Sequence, residues 1–184
     1  MKKVKRQAVV LKLVEALNEN GSWCGETHIQ KGFYFLQEML NVPTGYDFIL
    51  YKHGPFSFDL RDELSIMRAN ASLELIARPY PYRPSYVPGA AAATLMDVYK
   101  KTVEEYLNKI DFIAQQFSNR GVATLERLAT ALYITLGDGK HKDVMERAKL
   151  VNELKPHIDI ELAIGSVKEV EELTEKAKSL GLIR

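Results

Sequence analysis

Apolar residues recur along this chain at two spacings, and the changes between them mark the elements. Val9, Val10, Leu13, Val14 and Leu17 fall on one face of a 3.6-residue repeat, which predicts a helix over residues 4–18. Asn20-Gly21 ends it, because both residues tolerate the left-handed turn that follows a helix. A second helix opens in THIQKGFYFLQEML, with Ile29, Phe33, Leu36 and Leu40 as its stripe and Thr27 and Gln30 at capping-box spacing. After the loop NVPTG, the aromatic and β-branched run YDFILY (46–51) predicts a short strand. Gly54-Pro55 is expected to break that strand, with Phe56 and Phe58 anchoring the turn in the core. Ser57 is placed to cap a third helix over residues 58–70, whose Leu60, Leu64 and Met67 face inward. LELIA (73–77) is a second strand. RPYPYRPSYVPG follows, and its four prolines cannot donate to a sheet ladder, which predicts an edge ribbon or extended wing.

Beyond Ala90 the period lengthens. Met96, Tyr99, Val103, Tyr106, Ile110, Ile113 and Phe117 alternate in steps of three and four, a heptad seam on one long helix. The seam suits an internal core helix; its alternative use is a homodimer through the 96–117 helix. A fifth helix is expected over 125–136 and a sixth over 142–154, ending before Pro156. A short helix is expected after Asp159, and Ser166 with Glu169 has the S-x-x-E spacing that would open the last helix. The fold class expected is mainly α (α+β). A winged-helix-like N-terminal module with a small β wing would occupy 1–90. A helical C-terminal region would occupy 91–184, able to hold a second helix-turn-helix-like unit packed on the first. The Pro-rich stretch at 79–92 is the expected boundary.

Composition narrows the function classes. With 184 residues, 46% of them hydrophobic and 27% charged, the chain can bury a core without disulfides or metals. Its one cysteine, Cys24, excludes an internal disulfide and fits a reducing compartment. No apolar run reaches the roughly 20 residues of a membrane span. Lys12 and Glu15 interrupt the first apolar stretch, unlike a secretory signal, so a cytoplasmic protein is expected. The net charge of +1 argues against a strongly basic nucleic-acid face.

Candidate chemistry is sparse. The chain has no phosphate-binding loop, dinucleotide fingerprint, nucleophile elbow or zinc-protease helix, so no catalytic residue, cofactor or metal is expected. Cys24 and His28 lie four apart, but no second Cys/His pair joins them to complete a zinc set. Asp59, Asp62 and Glu63 share one face of the third helix, where acidic residues suit the helix dipole and leave the helix at net −1 against Arg61 and Arg68. That charge would repel phosphates if this helix entered a DNA groove. The wing alternates Tyr80, Tyr82 and Tyr86 with prolines and Arg83, residue types that dominate protein-binding hot spots. The candidate partner-binding set is therefore Asp59, Asp62, Glu63, Tyr80, Tyr82, Arg83 and Tyr86. A winged-helix nucleic-acid-binding regulator is the alternative, using Lys2, Lys3, Lys5 and Arg6 of an N-terminal tail with Arg78 and Arg83 of the wing.

Two stretches carry a family resemblance. IQKGFYFLQ (29–37) and YDFILYKHGPFSFDLRDEL (46–64) resemble the recurring pattern of the Panacea, or SocA-like, antitoxin and phage-associated domains and of the related YwgA-like bacterial proteins. Gln30, Lys31, Tyr34 and Gln37 fit the first part of that pattern. Tyr51, Gly54, Pro55, Phe56 and Leu60 fit the second, while Gly32 and His53 depart from the commoner choices. The resemblance spans about residues 5–77. It implies a mostly helical cytoplasmic prokaryotic domain that acts by protein contact, antitoxin-like or adaptor-like, with a toxin as a possible partner.

Overall fold

Buried residues surround α1 (Lys3–Glu19) on nearly every side, from Gln7 through Leu17. A helix enclosed in this way needs apolar residues around its whole circumference, which the run AVVLKLVEAL supplies apart from Lys12 and Glu15. The computed structural model describes residues 1–80 and 83–184 and is mainly helical, with eight helices and two small two-stranded sheets among the described residues. α2 (Glu26–Glu38) crosses α1 closely: a Cβ on Gly32 would stand 2.9 Å from Leu13 Cδ2. The N-cap of α2 is Gly25, with no side-chain cap, so Thr27 lies inside the helix and no Thr27/Gln30 capping box forms. Gln30 has a different partner, described below.

The expected strand does not end at Gly54-Pro55. β1 (Ile49–Tyr51) turns at Lys52-His53 and returns as β2 (Gly54–Phe56), pairing Leu50 with Pro55 and Tyr51 with Gly54. Pro55 lacks an N–H, which a two-stranded ribbon tolerates because one edge of each strand has no ladder partner. Gly54 has φ +79°, and a Cβ there would meet Thr130 Oγ1 at 3.0 Å and the Glu126 carbonyl at 3.3 Å. Both the conformation and the close approach call for glycine. Ser57 caps α3 (Phe58–Ala69), accepting from the Leu60 N–H, and Leu60, Leu64 and Met67 are buried as expected. Phe58, however, is exposed and Phe56 half-buried. Instead of anchoring in the core they stack with Tyr51 in a surface trio, with ring centroids 5.1–5.8 Å apart. β3 (Leu73–Ile76) and β4 (Ser85–Pro88) form the second ribbon, in register from Leu73–Pro88 to Ile76–Ser85.

The heptad seam is not one helix. α4 (Ala92–Val98) and α5 (Lys100–Phe117) meet at Tyr99, where the backbone leaves helical geometry. α5 packs against α1 and α2, and Ile110, Ile113 and Phe117 are fully buried there, with Phe117 edge-on to Phe35 at 4.9 Å. The lower seam is thus taken up inside the molecule, while Met96, Tyr99, Val103 and Tyr106 of the upper seam stay half-buried. α6 (Val122–Leu136) packs against α2 and β2. α7 (Val144–Leu154) opens with a true capping box, Asp143 and Glu146. α8 (Ile160–Ser179) starts after Asp159 and continues through the expected second start. Ser166 is buried mid-helix, donating to the Leu162 carbonyl, and Glu169 pairs with Arg120, so neither caps anything. One hydrophobic cluster contains residues from both expected regions, including Val9, Phe35, Ile113, Leu128 and Val167. Among the described residues no helix is long and apolar enough to cross a membrane.

Candidate functional site

Three buried or nearly buried charges hold the β1–β2 hairpin from below. Lys31, 1% exposed, donates from Nζ to the Pro55 carbonyl at 2.7 Å. Lys155, at the end of α7, donates to the Tyr51 and Lys52 carbonyls, each at 2.6 Å. Glu126 on α6 pairs through Oε2 with His53 Nδ1 at 3.1 Å. His157 Nε2 lies 3.3 Å from the other carboxylate oxygen, close enough for an ion pair but without hydrogen-bond geometry. Next to these, Gln30 exchanges two hydrogen bonds with the Ser57 backbone: Nε2 donates to the carbonyl at 2.9 Å and Oε1 accepts from the N–H at 3.0 Å. A buried amide satisfied at both ends is held in one orientation. Burial lowers the Lys31 pKa to about 8; Glu126 opposes the fall and the Lys155 charge adds to it.

Above this latch lies a cleft of about 620 Å³ between the hairpin and the β3–β4 wing. Trp23, Tyr51, Phe56 and Tyr86 give it aromatic walls, and Lys52, His53, Arg61 and Arg83 line it as well. The wing side is fixed by bonds to its main chain and one between its own side chains. Trp23 Nε1 donates to the Arg83 carbonyl at 2.9 Å, and the Tyr86 N–H donates to the Cys24 carbonyl at 2.9 Å. Asn18 Nδ2 donates to the Tyr86 carbonyl at 3.0 Å, and Arg78 Nε donates to Ser85 Oγ at 2.8 Å.

The Cys24/His28 pair does not form a nucleophile and its base. Cys24 is buried, at φ +50°, and burial pushes its thiol up to about 12, away from the thiolate. His28 also lines the cleft and is buried. Its Nε2 stands 3.0 Å from the Arg120 carbonyl, so Nε2 carries the proton and donates, while Nδ1 has no hydrogen-bond partner. Burial lowers its pKa and keeps it neutral. Among the described residues no three His, Cys, Asp or Glu side chains gather in a way that could hold a metal.

The structure divides the candidate binding residues. Asp59 and Asp62 are exposed on α3, Asp62 paired with Arg61 at 3.0 Å. Glu63 is 2% exposed: it pairs with Arg6 at 2.7 Å and accepts from the Tyr46 hydroxyl at 2.9 Å, so it is absent from the acidic surface expected of it. The same pair removes Arg6 from the proposed cationic tail, and Arg6 also lies over the Tyr46 ring at 4.0 Å. Lys2, Lys3 and Lys5 are exposed, but Lys3 and Lys5 form the first turn of α1 and Lys2 its N-cap. Tyr80 is 97% exposed, Arg83 and Tyr86 line the cleft, and Tyr82 lies outside the described residues. Sequence reasoning missed Trp23, Tyr51, Lys52 and Phe56 as cleft residues, and Lys31, Glu126 and Lys155 as the latch. The signal for the latch is a charge inside an apolar stripe, as in IQKGF and LERLA. No protein-family model matches the chain, and no curated protein matches it.

Proposed function

We propose that this chain is a non-enzymatic interaction module, antitoxin-like or adaptor-like, that holds a segment of a protein partner in the cleft between hairpin and wing. One observation carries the reading. Most of the polar groups beneath the cleft are bonded to main-chain atoms, Lys31 to Pro55, Lys155 to Tyr51 and Lys52, His28 to Arg120 and Gln30 to Ser57, while Glu126 is paired with the His53 and His157 side chains. What the cleft offers a ligand is aromatic surface and cationic side chains, the composition of a protein-binding hot spot. Main-chain bonds hold the wing wall in advance, which lowers the ordering cost of binding.

The order α1, α2, hairpin, α3, β3–β4 supports a winged-helix-like arrangement, with α3 before the wing. The resemblance to Panacea and SocA-like domains fits the same reading, because Gln30 and Lys31 of the shared pattern hold the segment that contains its Gly54 and Pro55. A toxin is the partner that this branch would suggest. A nucleic-acid role is less favoured: Arg6 is committed to Glu63, and Asp59 and Asp62 face outward on α3, where a phosphate backbone would meet them. The test is a photo-crosslinking residue in place of Arg83, compared with one in place of Lys178 on α8, both expressed in the native host. A discrete protein adduct specific to position 83 is expected. The same adducts from both positions, or none from position 83, would overturn the reading.

A further inference from the structure

The charges around the cleft are one-sided. Lys31, Lys52, Arg61 and Arg83 line it against a single carboxylate, Glu26. Not all of that charge is available. Lys31 is tied to the Pro55 carbonyl, and Arg61 is shared between Asp62 and the face of the Phe58 ring, 4.9 Å from its centroid. Of the two histidines in the lining, His53 is paired with Glu126 and His28 donates to the Arg120 carbonyl. The Lys52 and Arg83 side chains have no ion pair or hydrogen bond among the described residues, and both residues are exposed. The cleft therefore has unneutralised cations beside aromatic walls.

We infer that the segment held in the cleft is an acidic peptide with a large apolar side chain. The apolar group sits among Trp23, Tyr51 and Tyr86, and carboxylates on either side of it meet Lys52 and Arg83. This rests on the cleft being the partner site. The anchor removes aromatic surface from water, and the two cations set charge specificity and speed encounter. A short peptide can keep its carboxylates near these two cations. A nucleic-acid strand repeats its charge at every nucleotide and would also run past Asp59 and Asp62, which are exposed on α3. Concave shape, aromatic walls and a few charges at fixed places are the features of a site that reads one side chain and its neighbours.

Trp23 is the single tryptophan and lines the cleft, so its emission reports occupancy. The probes are an acetylated, amidated peptide with Phe between pairs of acidic residues, the same peptide with Lys and Arg as the flanks, and a single-stranded ten-nucleotide DNA. The acidic peptide is expected to give a saturable change in Trp23 emission and to bind at least tenfold more tightly than the basic one. Arg83→Glu and Lys52→Glu should each weaken it fivefold or more without lowering the melting temperature, and Lys178→Glu should leave it unchanged. Raised salt should weaken it as well, since exposed charges are screened. Equal or tighter binding of the basic peptide or of the DNA, or no saturable response to the acidic peptide, overturns the inference. The crosslink from position 83 separates the two levels. If it is lost with Tyr86→Ala but survives Lys52→Glu, the site stands and its acidic specificity falls. If it is indifferent to Tyr86→Ala, the site reading itself falls.

Discussion

Lys31 shows at the scale of one residue how this chain uses buried charge. A lysine inside an apolar helix stripe costs desolvation energy, and the fold offsets part of it with the Pro55 carbonyl and the nearby Glu126 carboxylate. The offset is incomplete, because the pKa falls from 10.5 in the free side chain to about 8 in the fold. Between those two values the unfolded chain binds more protons than the folded one, so the Lys31 contribution to stability rises with pH. Below pH 8 both states are protonated and the contribution is flat. Comparing wild type with Lys31→Met by urea unfolding cancels the other titrating groups. The wild-type advantage is expected to grow between pH 8 and 10, approaching about 1 kcal/mol per pH unit. A constant difference across that range would mean that Lys31 is not held in a desolvated site. Glu63 is likewise buried: its Oε2 takes both Arg6 and the Tyr46 hydroxyl while Oε1 has no hydrogen-bond partner, and the Arg6 pair ties α1 to α3.

At the scale of elements, the hairpin carries the strongest constraint. Gly54→Ala must place a Cβ against Thr130 and the Glu126 backbone at a positive φ, which should cost about 2 kcal/mol or more. Pro55→Ala loosens the unfolded chain and should cost about 1 kcal/mol. Lys2→Ala, on an exposed side chain, should stay within about 0.5 kcal/mol. Melting temperatures in that order are expected, and equal values for all three would remove the hairpin's special standing. These elements also mark what local pattern can and cannot reveal. The Ser57 cap and the Leu60, Leu64, Met67 face were legible because they depend on neighbours within one or two turns. The hairpin was not, since a three-residue strand opening on Gly-Pro looks locally like a break. Periodicity also carried the heptad seam straight through Tyr99, because side-chain spacing does not register the backbone turn there. The S-x-x-E pair at Ser166 has cap spacing but sits inside a helix that α6 and α7 bury. The latch depends on pairs far apart in sequence, so only its odd members, charged residues in apolar stripes, were visible.

At the scale of the whole molecule, the two expected halves share one core, and the cleft walls come from the first half except for Val122, while part of their support comes from the second. The Asp59/Asp62 surface and the cationic cleft give opposite charges to different parts of the first half. The support from the second half also sets an order of events while the chain is being made. Lys155 reaches back to Tyr51 across 104 positions, and Glu126 to His53 across 73. At about 5–20 residues per second, synthesis of the intervening chain takes roughly 5–20 s, during which the hairpin has its α2 contacts but not its full latch. A chain ending at residue 140 keeps α2 and α6 but lacks Lys155, so it should be cut by protease within residues 50–56 much faster than the full chain, and equal protection would show that α2 and α6 hold the hairpin without Lys155. The floor of the cleft is thus completed only after residue 155 has been made, so a nascent chain shorter than that has walls in place before the support beneath them.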